Sequence, residues 1–269
     1  MAIGTYLENI FSLSDKVIMM TGAGGGIGSV ISEGLAKAGA SMVLCDISLE
    51  AVAAVKDSII DNGGHASAHA FDISKTDEIK SAVQDIIEEN GRIDVLINCA
   101  GINKREGMLD VEEATYDKIM AINLKGAYFL SQEVGRYMRK AKKGNIINVA
   151  SHNSVMVLGG VSVYAATKSA LKALTQSMAV EWAQYGIRAN AIAPGHILTP
   201  LTTVTWEHPT RSVYLKDRIA MRRPGSADEL IGTVILLASD ASSYMSGSMI
   251  HIDGGCLAGG CPWEFDTNY

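Results

Sequence analysis

Four apolar residues, Val17-Ile18-Met19-Met20, run directly into Thr21-Gly22-Ala23-Gly24-Gly25-Gly26-Ile27-Gly28. Beyond them Val30, Ile31, Gly34, Leu35 and Ala38 fall at the spacing of one helical face. The stretch reads as strand, tight turn, helix. The first N–H groups of such a helix are unpaired and carry the positive end of its dipole, so a phosphate can sit there. Glycine lets the backbone approach a pyrophosphate and take positive φ without steric cost. The spacing is Gly22-xxx-Gly26-x-Gly28 rather than G-x-G-x-x-G. A glycine cluster alone is also compatible with a merely flexible turn. Its place between strand and helix points to a dinucleotide site, with Gly22, Gly26, Ile27 and Gly28 as the phosphate-side residues.

The remaining chain continues the alternation. Strands are expected at 17–21, 41–45, 66–71, 95–98, 145–150, 189–193 and 249–252. Helices are expected at 27–38, 49–62, 76–90, 113–141, 162–185 and 227–239, with a less regular segment over 196–224. Residues 1–15 form a lead-in whose Tyr6, Leu7, Ile10 and Phe11 can pack on a neighbouring surface. The pattern predicts an α/β, Rossmann-type doubly wound fold: a seven-stranded parallel sheet with helices on both faces. Residues 1–269 are expected to form one domain, with a substrate lid around 196–224.

Composition narrows the function classes. Hydrophobic residues make up 48% of the chain, enough for a sizeable core without disulfides. The formal charge is −6 and no basic block occurs, which argues against a nucleic-acid partner. No apolar run approaches the roughly 20 residues of a membrane span, and the residues before Val17 lack signal-peptide regions. A cytoplasmic location is expected. Cys45, Cys99, Cys256 and Cys261 form no CxxC pair and have no histidine cluster beside them in the sequence, so no metal is expected. Cys45 and Cys99 read as core residues. Cys256 and Cys261 lie in a glycine-rich tail, open to exposure.

Ligands of such sheets bind at the carboxyl ends of the strands, so the residues that close strands carry the functional reading. Asp46 stands 18 residues after Gly28, where an acid accepts hydrogen bonds from ribose hydroxyls and repels a 2′-phosphate. Its alternative is a helix cap or a solvated turn acid. Asp72 can meet an adenine edge or cap the following turn. Asn98-Cys99-Ala100-Gly101 offers small residues past which a ribose can run. Ser151 closes the fifth strand, and Tyr164 and Lys168 stand at i,i+4 on the next helix, so an ammonium can lie beside a phenol. Each feature is commonplace alone. The set is informative.

In order and at matching intervals, Thr21-Gly22-xxx-Gly26-x-Gly28, Asn98-x-Ala100-Gly101, Asn123, Ser151, Tyr164-xxx-Lys168 and Pro194-Gly195 resemble the short-chain dehydrogenase/reductase family over nearly the whole chain. Cys99 stands where that family often has a second Asn. The resemblance implies a Rossmann fold, a nicotinamide cofactor and a homotetramer. It implies Asn123, Ser151, Tyr164 and Lys168 as a catalytic tetrad, with Lys168 also on the nicotinamide ribose and Asn123 in a water-linked proton relay. Pro194 and Gly195 would lie at the nicotinamide end, with Ile197 and Thr199 near the carboxamide. With Asp46, the expected cofactor is NAD.

The stretch Ile102-Asn103-Lys104-Arg105-Glu106, with Ala193-Pro194-Gly195, Arg218-Ile219, Arg222 and Gly225, resembles the gluconate 5-dehydrogenase and deoxygluconate dehydrogenase subgroup. That implies a sugar acid or polyol as substrate. Lys104 and Arg105, on the loop leaving the fourth strand, can reach the pocket, where Arg105 can clamp a carboxylate beside Ser151 and Tyr164. His152 either lines the pocket or is a turn histidine with no role. The rival reading pairs Arg105 with Glu106 or with another chain. Met156, Leu158, Trp206, His208 and Tyr214 are expected in the pocket wall or its lid, or packed on one another. The tail aromatics Trp263 and Phe265 are expected to be buried, against another subunit or the chain's own sheet edge. Two other functions stay open. One is a 3-oxoacyl-carrier-protein reductase or similar alcohol dehydrogenase. The other is a non-catalytic dinucleotide sensor, against which Tyr164 and Lys168 weigh.

Overall fold

The computed structural model describes residues 3–200 and 202–260. Cys261, Trp263 and Phe265 lie outside them. Seven strands alternate with helices. They are β1 (Val17–Thr21), β2 (Ser41–Asp46), β3 (His65–Ala70), β4 (Val95–Asn98), β5 (Gly144–Val149), β6 (Ile187–Pro194) and β7 (Met249–Ile252). All pair in parallel, in the order β3-β2-β1-β4-β5-β6-β7. The order reverses between β1 and β4, which opens a crevice at their carboxyl ends.

Strand parity builds two cores. Ile18 and Met20 of β1, Leu44 of β2 and Ile97 of β4 face one side. There they meet Ile31 and Leu35 of α2 (Gly28–Lys37), Val52 and Ile59 of α3 (Leu49–Asp61) and Val234 and Leu237 of α10 (Ile231–Ala238). Met19, Val43, Leu96 and Ile146 face the other side. They pack on Ile79 and Val83 of α4 (Thr76–Asn90), Leu130 and Val134 of α6 (Ala127–Ala141) and Met178 of α7 (Ser162–Trp182). Because both faces are covered, the strands read as near-continuous apolar runs.

Three local expectations need correction. The single helix expected over 113–141 is α5 (Glu113–Met120), a π-helical turn (Ala121–Gly126) and α6. The wider turn carries Asn123, which is fully buried. The lead-in is a helix, α1 (Ile3–Phe11), beside the turn Asp240–Ser242. Its Tyr6, Leu7 and Phe11 are exposed on this chain. Cys256 is buried, at the end of a turn through Gly254 and Gly255, both at positive φ. Segment 196–224 holds two short helices, α8 (Thr203–Trp206) and α9 (Pro209–Lys216). Among the described residues no helix is long and apolar enough to cross a membrane.

Candidate active site

A cavity of about 500 Å³ runs along the carboxyl edge of the sheet. One end is lined by Gly22, Gly26, Ile27, Gly28, Asp46 and Asp72. Gly22 takes φ +68°, and a Cβ there would lie 2.8 Å from the Ala100 backbone. A Cβ on Gly28 would overlap the Gly22 carbonyl oxygen. The loop is therefore closed to side chains, and its bare backbone forms a cradle of the kind a pyrophosphate needs. Asp46 is held at both oxygens: Oδ2 accepts from Gly24 N at 3.1 Å and Oδ1 from Ile47 N at 2.8 Å. Asp72 lines the cavity and also caps its turn, accepting from the Ser74 hydroxyl at 2.7 Å and its N–H at 2.9 Å. Those hydrogen bonds hold its carboxyl below the usual range.

At the other end Ser151, just beyond β5, caps the turn His152–Ser154. Its hydroxyl accepts from Asn153 N at 3.1 Å, which fixes its position. Tyr164 and Lys168 project from the first turns of α7, with the Lys168 ammonium 5.6 Å from the Tyr164 ring centre. Lys168 is buried and donates to the Val149 carbonyl at 2.7 Å. Burial pulls its pKa down to about 8. Burial also pushes the Tyr164 phenol above its ordinary range, while the Ser151 hydroxyl pulls it back. Ala100, Gly101, Pro194, Gly195, Ile197 and Thr199 complete the wall between the two ends.

A family model described as enoyl-(acyl carrier protein) reductase matches residues 22–256. The chain belongs to the short-chain dehydrogenase/reductase family. The 5-keto-D-gluconate 5-reductase of Escherichia coli (strain K12) is 36% identical over 251 residues, covering 93% of this chain and 99% of the relative. An NAD-dependent glycerol dehydrogenase of Listeria innocua is 38% identical, over 91% of this chain and 95% of its own. The crystal structure of a gluconate 5-dehydrogenase from Burkholderia cenocepacia J2315, in complex with NADP and tartrate, superposes with a TM-score of 0.91 at 35% identity. That match covers 93% of this chain and 98% of the other. Membership makes the chain an oxidoreductase that uses a nicotinamide dinucleotide.

Within that family frame, two expected site residues stand behind the wall rather than in it. Asn98 has the parity of Leu96 along β4, so its side chain enters the core on the α6 side. There Nδ2 donates to Ser131 Oγ and Asn148 Oδ1, both at 2.8 Å. It does not line the cavity, whereas Cys99, Ala100 and Gly101 after it do. Asn123 exchanges two hydrogen bonds with the Ile102 backbone, at 2.8 and 2.9 Å, and donates to Thr167 Oγ1 at 3.4 Å. It holds the loop leaving β4 against α7, without touching the cavity.

Arg105 also lines the cavity. Glu106 is taken by Lys104, which also reaches Thr115 Oγ1 at 3.3 Å. Leu158 and Trp206 line the cavity as expected, but Met156, His208 and Tyr214 do not. The His208 ring caps α9 through Arg211 N at 3.3 Å. Tyr214 lies under the Arg218 guanidinium at 4.3 Å. Sequence reasoning missed His196. It stands two residues past the end of β6, and its ring meets His152 edge-on at 4.6 Å. The rule that singled out strand-closing residues applies to it equally. Asn153, which orients Ser151, was missed because it lies inside the turn.

Proposed function

We propose that the chain is an NAD-dependent dehydrogenase/reductase acting on a secondary alcohol or ketone of a sugar acid. The observation that carries this reading is Ser151, Tyr164 and Lys168 in one cavity with the glycine cradle and Arg105. When bound, the nicotinamide supplies or accepts the hydride. Ser151 holds the substrate oxygen by hydrogen bonding. The Tyr164 hydroxyl takes the alcohol proton in oxidation and returns it in reduction. Lys168 favours the phenolate by its charge and offers donors to the cofactor ribose. Asn123 positions the Gly101–Ile102 wall and the start of α7, and the proton relay expected of it would run behind that wall. The family's usual homotetramer and a cytoplasmic location remain part of this proposal.

Asp46 supports NAD over NADP. Its carboxylate is anchored at the ribose end, and Ile47, Ser48, Leu49 and Glu50 supply no cation for a 2′-phosphate. Like charges at hydrogen-bonding range cost about 1–4 kcal/mol, so NAD should win by roughly tenfold or more in kcat/KM. Asp46→Ser should narrow that gap in parallel rate measurements. Equal kcat/KM for the two cofactors in the unmodified chain would remove Asp46 from this role.

Arg105 supports a carboxylate substrate. A guanidinium can hold a carboxylate through two parallel hydrogen bonds, which fixes direction as well as adding attraction. Arg105→Ala should raise KM for a sugar acid by about 10-fold or more, the scale of one charge-assisted contact. KM for the matched uncharged polyol should change much less. Equal changes for the two would assign the chain a neutral polyol, as in the glycerol dehydrogenase it resembles.

A further inference from the structure

We propose that His152, His196 and Cys256 form a binding site for one zinc-class divalent cation, beside the cavity that holds Ser151, Tyr164 and Lys168. The three come from loops after three neighbouring strands. His152 follows β5, His196 follows β6 and Cys256 follows β7. Parallel pairing puts those loops side by side at the carboxyl edge, although the residues lie 44 and 60 positions apart in the chain. One ligand atom from each lies within 4.8 Å of the other two.

The site is built, not incidental. His152 is only 2% exposed and Cys256 only 7%. His152 Nδ1 and His196 Nε2 are both buried with no hydrogen-bond partner. Buried polar nitrogens without partners are costly and call for a ligand. The two rings meet nearly at right angles, 86°. Cys256 is held in place by its turn, where its N–H reaches the Asp253 carbonyl at 3.3 Å. The Asp253 carboxylate, fixed by Gly255 N at 3.0 Å and Leu257 N at 2.9 Å, bears electrostatically on all three groups, opposed by Arg105 at His196 and by Arg218 at Cys256.

Two imidazoles and one thiolate select zinc or cobalt over magnesium or calcium, which take oxygen ligands. Bond lengths of about 2.0–2.1 Å to nitrogen and 2.3 Å to sulfur draw the three atoms closer than they stand here, a small side-chain adjustment. Binding releases the Cys256 thiol proton to solvent, and the site then carries one net positive charge. Three protein ligands leave a fourth position of the tetrahedron free. His152 and His196 both line the main cavity, and Cys256 stands behind them.

The test uses the full chain and Co²⁺ as a spectroscopic probe, with metal content read after dialysis. One equivalent of Co²⁺ should give a thiolate-to-cobalt charge-transfer band and tetrahedral visible bands. Zn²⁺ should bleach both. Cys256→Ser should abolish the charge-transfer band, and His196→Asn should weaken Co²⁺ binding by at least about 10-fold, the loss expected for one ligand of a set. Nucleotide binding and circular dichroism of each variant report whether it is folded. If Cys256→Ser misfolds, alkylation protection decides instead: Zn²⁺ should shield Cys256 in the unmodified chain, read by mass spectrometry. A chain that binds no stoichiometric Co²⁺, or a band that persists in folded Cys256→Ser, overturns the site.

Discussion

Tyr164→Phe should lower kcat by about 10²-fold or more, the scale of general acid–base catalysis, with nucleotide affinity preserved. The substitution deletes one hydroxyl and keeps the ring that packs beside Lys168. Because burial raises the phenol's pKa, phenolate is scarce near neutrality. Alcohol oxidation needs the phenolate, so its kcat/KM should climb as pH rises. Ketone reduction needs the phenol proton, so it should hold level through neutral pH and decline in alkali. The measurement is a pair of pH–rate profiles, one per direction, for the unmodified chain and the variant. Near-normal turnover in Tyr164→Phe, or an oxidation profile that falls with rising pH, would exclude Tyr164 as the proton carrier.

Lys168→Met should cost a similar factor in rate and should also weaken nucleotide binding. With the ammonium 5.6 Å from the phenol ring centre, Coulomb attraction at an effective dielectric near 20 is on the order of 3 kcal/mol, or about 10²-fold. Stability should move the other way. The folded pKa of about 8 lies below the ordinary value of 10.5, so between those values the unfolded chain binds more protons and stability rises with pH. Below pH 8 the buried ammonium costs on the order of 3 kcal/mol, more than the roughly 1 kcal/mol of a typical hydrogen bond such as the one to Val149. The ligand-free variant should therefore melt no lower than the unmodified chain at pH 7. A variant that loses rate but binds nucleotide unchanged would contradict the ribose contact. One that melts well below the unmodified chain would show that the lysine stabilises the fold.

The inner sheet was legible because β1, β2 and β4 are apolar on both faces. Asp46 and Asn98 stand at carboxyl ends as expected, and Asp72 and Ser151 lie two residues past theirs. What escaped reading depends on side-chain direction or on one residue of helix geometry. Asn98 closes its strand as expected, yet strand parity sends its amide to Ser131 rather than into the cavity. The π-helical turn adds about one residue to a long apolar periodicity, which the pattern of 113–141 absorbs without a break. His152, His196 and Cys256 are far apart in sequence, and only the parallel order of β5, β6 and β7 brings them together. Cys256 is buried at the end of a turn through two glycines at positive φ, and local composition does not report that.

The proposed reaction is hydride exchange between NAD and a sugar acid in the cavity that joins the glycine loop to Ser151, Tyr164 and Lys168. Initial rates followed at the nicotinamide absorbance band test it most directly. The substrates are a gluconate-class sugar acid, its matched polyol and a 3-oxoacyl thioester, each with NAD(H) and NADP(H). The highest kcat/KM is expected for the sugar acid with NAD(H), and that activity should be lost in Tyr164→Phe. A preference for the acyl thioester with NADPH, or nucleotide binding with no turnover of any substrate, would contradict it.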